Sequence, residues 1–231
     1  MRVFAPRQAL ALISGVLILT GMALVLWAER PQSRDALWQI VTNCLDPTVA
    51  DYCERCNWPR IDSPCSRSSH CENTTEVWAV DDDYVVIRDI KMCGCPEGFI
   101  HGLALPRWRV PGVEDAGSPN GIWEVAWDAA CERIKDESSI ALVVNPKGLR
   151  SQDQLHVHIV QLREDARQKF DKLTMTPVQC LDEVWDAAAQ RAVSEGLDDY
   201  GVLVASNPQG GFMLLVEKNS PERMYTEERC R

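Results

Sequence analysis

The stretch Gln154-Leu-His-Val-His-Ile159 decides how the chain is read. In an extended strand alternate side chains share a face. Gln152, Gln154, His156 and His158 then line one side, while Leu155, Val157 and Ile159 line the other. One face is apolar and packs inward; the opposite face presents two amides and two imidazoles. Imidazole titrates near neutrality and can serve as nucleophile, acid, base or metal ligand. Periodicity alone leaves three readings open: a catalytic stripe, a two-histidine metal pair and a solvated strand.

Working outward, Ile140 to Val144 is a second strand-like run, followed by a turn at Asn145-Pro-Lys-Gly148. Earlier come Tyr84-Val-Val-Ile-Arg88 and Ile100-His-Gly-Leu-Ala-Leu105, the latter closed by Pro106. A helix is expected from Asn120 to Lys135, with Ile122, Val125, Ala126, Ala129, Ala130 and Ile134 as its apolar stripe. Trp123 and Trp127 sit on that helix as core residues, and Trp108 and Trp123 are candidates for an interfacial position. A second helix fits Pro177 to Glu195, stopped by Gly196. The tail forms a hairpin, Gly201 to Ala205 and Phe212 to Val216, around Asn207-Pro-Gln-Gly-Gly211. These elements predict an α+β fold around antiparallel strands.

The first thirty residues have a different character. From Ala9 to Ala28 there are twenty residues without a formal charge, enough for a helix of about 30 Å, the thickness of a bilayer's hydrocarbon core. Arg2 and Arg7 precede the run and Trp27 stands at its end. Residues 1–30 are therefore expected to be an uncleaved transmembrane anchor, with a cleaved signal peptide as the alternative, and residues 31–231 a single catalytic domain. Ten cysteines fit an oxidising, extracytoplasmic compartment, so disulfides are expected, with zinc at Cys53 and Cys56 as the alternative. After a short helix between Ser33 and Val49, residues 51–73 form a cysteine-rich insert without periodicity. A net charge of −10 argues against a nucleic-acid surface, which needs a basic stripe, but permits a small anionic substrate held by local cations. His101 is expected to be structural, and His70 has no assigned role.

Several of these pieces together resemble the histidine-triad superfamily of nucleotidyl hydrolases and transferases. The likeness rests on Gly102-Leu-Ala-Leu-Pro-Arg-Trp108, the helix from Asn120, Asn145-Pro-Lys-Gly148, Gln152 and Gln154-Leu-His-Val-His158. Within it the chain is similar to the membrane-anchored CDP-diacylglycerol pyrophosphatases, through Leu37-Trp-Gln-Ile-Val-Thr-Asn-Cys44, Tyr84-Val-Val-Ile87, Pro119 to Trp127 and Gln152 to Arg163. The first triad histidine is replaced by Gln154, which keeps a hydrogen bond but cannot take up a proton. The resemblance implies a histidine-triad-like antiparallel sheet and hydrolysis of CDP-diacylglycerol to CMP and phosphatidate. It makes His156 the nucleophile that forms a nucleotidyl-histidine and His158 a hydrogen-bond donor to the phosphoryl group. Asn145, Gln152, Gln154, Lys147 and Arg150 would contact the substrate, with no metal or other cofactor. It further implies an inner-membrane, single-pass protein with a periplasmic domain. The competing readings are a non-catalytic, cysteine-rich binding ectodomain and a nucleotidyl hydrolase or transferase with another nucleotide diphosphate.

Overall fold

A computed structural model describes residues 33–45, 75–115 and 117–230. The expected anchor and the cysteine-rich insert lie outside these residues. Among the described residues no helix is long and apolar enough to cross a membrane.

The described residues build an α+β structure on one sheet of eight antiparallel strands. They are β1 (Val77–Val80), β2 (Tyr84–Arg88), β3 (His101–Pro106), β4 (Ile140–Val144), β5 (Val157–Gln161), β6 (Thr176–Val178), β7 (Gly201–Ser206) and β8 (Phe212–Glu217). Their order across the sheet is β1-β2-β3-β5-β4-β7-β8-β6, which puts β5 near the middle between β3 and β4. Among the described residues five α-helices accompany them: α1 (Ala36–Asn43), α2 (Gly121–Arg133), α3 (Ala166–Phe170), α4 (Val184–Glu195) and α5 (Pro221–Tyr225).

Strand alternation divides the apolar residues between two faces. Val86, Ala104, Leu142, Val157, Ile159 and Val204 point to the face covered by α2 and α4. Trp123 and Trp127 are buried with Ile122, Ala126, Ala129 and Ala130, as expected of core residues on α2. Trp123 is 0% exposed and therefore cannot rest at an interface, whereas Trp108 is 40% exposed.

The opposite face carries two separate clusters. Leu37, Ile40 and Val41 of α1 pack on Val85, Ile87, Leu103 and Leu105. Phe170 and Tyr225, from α3 and α5, pack on Val143, Val160, Leu203 and Leu215. Each fully buried aliphatic side chain here is worth about 1.5–3 kcal/mol. His158 belongs to this face and lies opposite Leu103 of one cluster and Val143 of the other. The polar site thus occupies the seam between two hydrophobic clusters.

Two expected elements differ. The histidine strand begins at Val157 rather than near Gln152, since the amides of Asp153 and Leu155 donate to Arg34 O and Val110 O instead of to a neighbouring strand. Residues before Val184 also leave the expected helix. Pro177 lies in the short edge strand β6, where a missing N–H is tolerated, and a 3-10 turn at Leu181–Glu183 precedes α4. Gly196 terminates α4 in a left-handed conformation, φ 67°. A disulfide joins Cys95 to Cys230, and Cys44 and Cys93 are also disulfide-bonded, while Cys131 and Cys180 are free.

Candidate active site

Five segments converge on the seam. Strand β5 and the residue before it supply His158 and His156; β3 begins with His101. Asn145 follows β4 directly, so the β4–β5 register brings its side chain beside the histidines. A 3-10 turn, Ile90–Met92, is capped by the Asp89 carboxylate, which accepts from Lys91 N, and this fixes both Asp89 and Lys91. The fifth segment is α5, where Ser220 caps the helix, Pro221 sits in the first turn and Glu222 turns inward.

His156 Nδ1 lies 2.7 Å from the backbone oxygen of Gln154. A carbonyl oxygen only accepts, so Nδ1 carries the proton and Nε2 keeps its lone pair. Burial lowers the pKa of His156 and favours this neutral form. His158 Nδ1 is 3.1 Å from His101 Nε2, and its Nε2 is 3.3 Å from Asn145 Nδ2. Burial holds both rings well below the ordinary imidazole range, with His158 adding to the effect on His101 and His156 to that on His158.

Asn145 is held from two sides. The Ser220 hydroxyl donates to its Oδ1 at 2.6 Å, and its Nδ2 donates to Glu222 Oε2 at 2.6 Å. Burial alone would raise the Glu222 pKa, but Lys91 beside it, with hydrogen bonds from Lys91 and Asn145, leaves it below the usual range. Asp89 has less compensation, and burial pushes its carboxyl up.

A cavity of about 420 Å³ opens over this group. His156, His158 and Asn145 line its polar side, with Lys91, Arg150, Arg223 and Arg229 around them. Leu37, Ile40, Ile87 and Leu103 line an apolar side. Asp89, Glu222 and Glu228 also line it, so the polar side carries both charges and the cavity as a whole is amphiphilic.

The expected site residues separate into two groups. His156, His158, Asn145, Arg150 and Gln152 all line this cavity. The Gln152 amide is nevertheless occupied at the start of α1, accepting from Leu37 N and donating to Ser33 O. The Arg150 guanidinium forks onto Glu114 with two 2.6 Å bonds. Gln154 is 0% exposed; its amide donates to Pro106 O and Trp108 O and accepts from Val110 N. It braces the segment after β3 instead of facing the cavity. Lys147 is exposed, 4.0 Å from Glu114, and outside the cavity lining. Sequence reasoning missed Glu222, Lys91 and Asp89, and it gave His101 only a structural place. The capping signature Ser220-Pro-Glu222 is legible, but nothing local shows that its carboxylate reaches the histidines.

Buried imidazoles with a free lone pair, beside an amphiphilic cavity edged with cations, are the equipment of a hydrolase. The sequence model for CDP-diacylglycerol pyrophosphatase matches residues 32–189, more than half of the chain. The chain therefore belongs to the CDP-diacylglycerol pyrophosphatase family, enzymes that hydrolyse CDP-diacylglycerol. That membership removes the non-catalytic ectodomain reading.

Proposed function

We propose that hydrolysis proceeds by two displacements at the α-phosphorus, with His156 as the nucleophile and a histidine-triad type of mechanism. Nε2 of His156 attacks the phosphorus of the CMP moiety and an N–P bond forms. The bond from that phosphorus to the bridging oxygen breaks, and phosphatidate leaves with the bonding electrons. Water then attacks the same phosphorus, a P–O bond forms as the N–P bond breaks, one water proton passes to solvent, CMP departs and the neutral imidazole is regenerated. Dividing one difficult displacement in two is what a covalent nucleophile contributes.

The observation that carries this reading is the bond from His156 Nδ1 to Gln154 O. It fixes the ring, directs the Nε2 lone pair at the cavity and stabilises the positive charge that develops as the N–P bond forms. His158, next to Asn145, donates to the phosphoryl oxygens or the leaving group. Arg150, Lys91 and Arg223 offset the diphosphate charge, and the apolar wall from α1, β2 and β3 receives the start of the diacylglycerol moiety. In sequence, α1 follows the apolar residues 9–28. An anchor there, with the domain on the periplasmic side, would keep enzyme and lipid on one surface and raise the effective substrate concentration.

The test is turnover of CDP-diacylglycerol by the purified chain, with CMP and phosphatidate measured together. His156→Ala is expected to reduce kcat by a factor on the order of 10³ or more while the fold is kept. Turnover by that variant at the parental rate overturns the mechanism.

A further inference from the structure

His101 Nε2 is surrounded by more lone pairs than it has protons to offer. His158 Nδ1 lies 3.1 Å away, Asp89 Oδ2 3.3 Å and Glu222 Oε1 3.4 Å. Asn145 Nδ2 donates to His158 Nε2, so His158 Nδ1 carries that ring's hydrogen, and His101 Nε2, with at most one hydrogen of its own, can satisfy at most one of the two carboxylates. All four groups are buried: His101 is 0% exposed, Glu222 3%, His158 5% and Asp89 7%. Lone pairs turned on each other in a buried place are costly unless a cation sits among them. Lys91 answers part of this need, but its ammonium group is engaged with Glu222 and, at 3.9 Å, with Glu228.

We propose that Asp89 Oδ2, His101 Nε2 and His158 Nδ1 form a binding site for one divalent transition-metal ion, zinc being the best match. These three atoms all lie within 4.8 Å of one another. Around a tetrahedral zinc with bonds of about 2.0–2.1 Å, neighbouring ligand atoms are about 3.3 Å apart. The edges from His101 to His158 and to Asp89, 3.1 and 3.3 Å, already have that length. Two imidazoles and a carboxylate suit zinc, cobalt or nickel; magnesium and calcium prefer all-oxygen sets. Asp89 and Glu222 balance the charge of the ion, and three protein ligands leave a fourth position for Glu222 or an oxygen from the cavity.

Metal at Nδ1 of His158 forces its proton onto Nε2. Nε2 then gives up the hydrogen bond it accepts from Asn145 Nδ2 and becomes an N–H, 3.5 Å from Glu222 Oε2, that can donate into the cavity. The ion would therefore act by fixing His158 as a donor, without taking part in the displacement at phosphorus. The metal site does not depend on His156 being the nucleophile, and it is tested apart from activity.

The full chain is stripped with a chelator and titrated with Zn²⁺ by calorimetry, then with Co²⁺ by visible absorption. The expected result is one equivalent bound, with cobalt bands that lack thiolate charge transfer. Asp89→Asn and His101→Gln should each weaken binding by a factor on the order of 100. Thermal unfolding in chelator shows whether each variant keeps the parental fold. Imidazole ¹⁵N spectra of the intact chain provide a readout that needs no variant: zinc should shift His158 Nδ1 and His101 Nε2 while His156 stays nearly in place. Unchanged spectra, absence of binding, a thiolate cobalt spectrum, or equal affinity in folded variants each overturns the proposal.

Discussion

Replacing Glu222 by Gln removes one charge from the most crowded part of the site and leaves its shape almost unchanged. The carboxylate side chain is 4% exposed and that of its partner Lys91 25%. Breaking a buried ion pair by removing one member costs about 3–5 kcal/mol, because the other charge is stranded. Water still reaches the Lys91 ammonium, and Gln can still accept from Asn145, so the expected loss is nearer 2 kcal/mol. For a domain of this size that corresponds to a fall in Tm of about 4–8 °C. Denaturant unfolding in the presence of chelator measures it without interference from metal. Adding Lys91→Met removes the stranded charge, so the double variant should recover about 1 kcal/mol relative to additivity. Asn145 also loses the charged acceptor that turns its amide towards His158, and kcat should fall on the order of tenfold. If Glu222→Gln is as stable as the parent, or the double variant is strictly additive, Lys91 and Glu222 are not coupled as the geometry requires.

Gln154→His restores the triad pattern in sequence, yet the side chain faces Pro106, Trp108 and Val110, so no gain in turnover is expected. Stability should instead fall by about 2–4 kcal/mol in denaturant unfolding, and a rise in kcat would show that position 154 does reach the substrate. Stability should also depend on pH through the three imidazoles whose folded pKa values lie below 6.5. Above that value folded and unfolded chains are both neutral at these positions. Below it the unfolded chain takes up protons that the folded chain resists, so stability falls as pH drops, by about 2–4 kcal/mol at pH 5.5. The raised pKa of Asp89 acts in the opposite direction, but nearer the carboxyl range. Equal unfolding free energies at pH 7.5 and 5.5 would refute the burial argument. Cys95 and Cys230 are 135 residues apart and tie the segment bearing Asp89 and Lys91 to the tail bearing Glu222. The Cys95→Ser, Cys230→Ser pair should cost about 2–4 kcal/mol and reduce kcat, measured by unfolding and turnover together.

The strands were legible where short apolar runs stand between turn residues, as in Tyr84–Arg88, Ile140–Val144 and the hairpin of β7 and β8. The start of β5 was not, because polar alternation in residues 152–156 imitates a strand while the backbone there bonds to Arg34 and Val110. His156, His158 and Asn145 were found because they lie close in sequence to β4 and β5. His101 was undervalued, since its nearness to His158 comes from β3–β5 pairing across 57 residues. Ser220 and Glu222 lie beyond the stretch matched by the family model, which ends at residue 189. Only tertiary folding brings their short capping turn to the histidines.

In the proposed mechanism His156 Nε2 becomes bonded to phosphorus during turnover. The most direct measurement is to mix the full chain with CDP-diacylglycerol, quench in base during turnover and map modified peptides by mass spectrometry. A CMP adduct on His156, formed and lost at rates consistent with kcat, is the predicted result. An adduct on another residue, or none while His156→Ala keeps parental turnover, rules out His156 as the nucleophile.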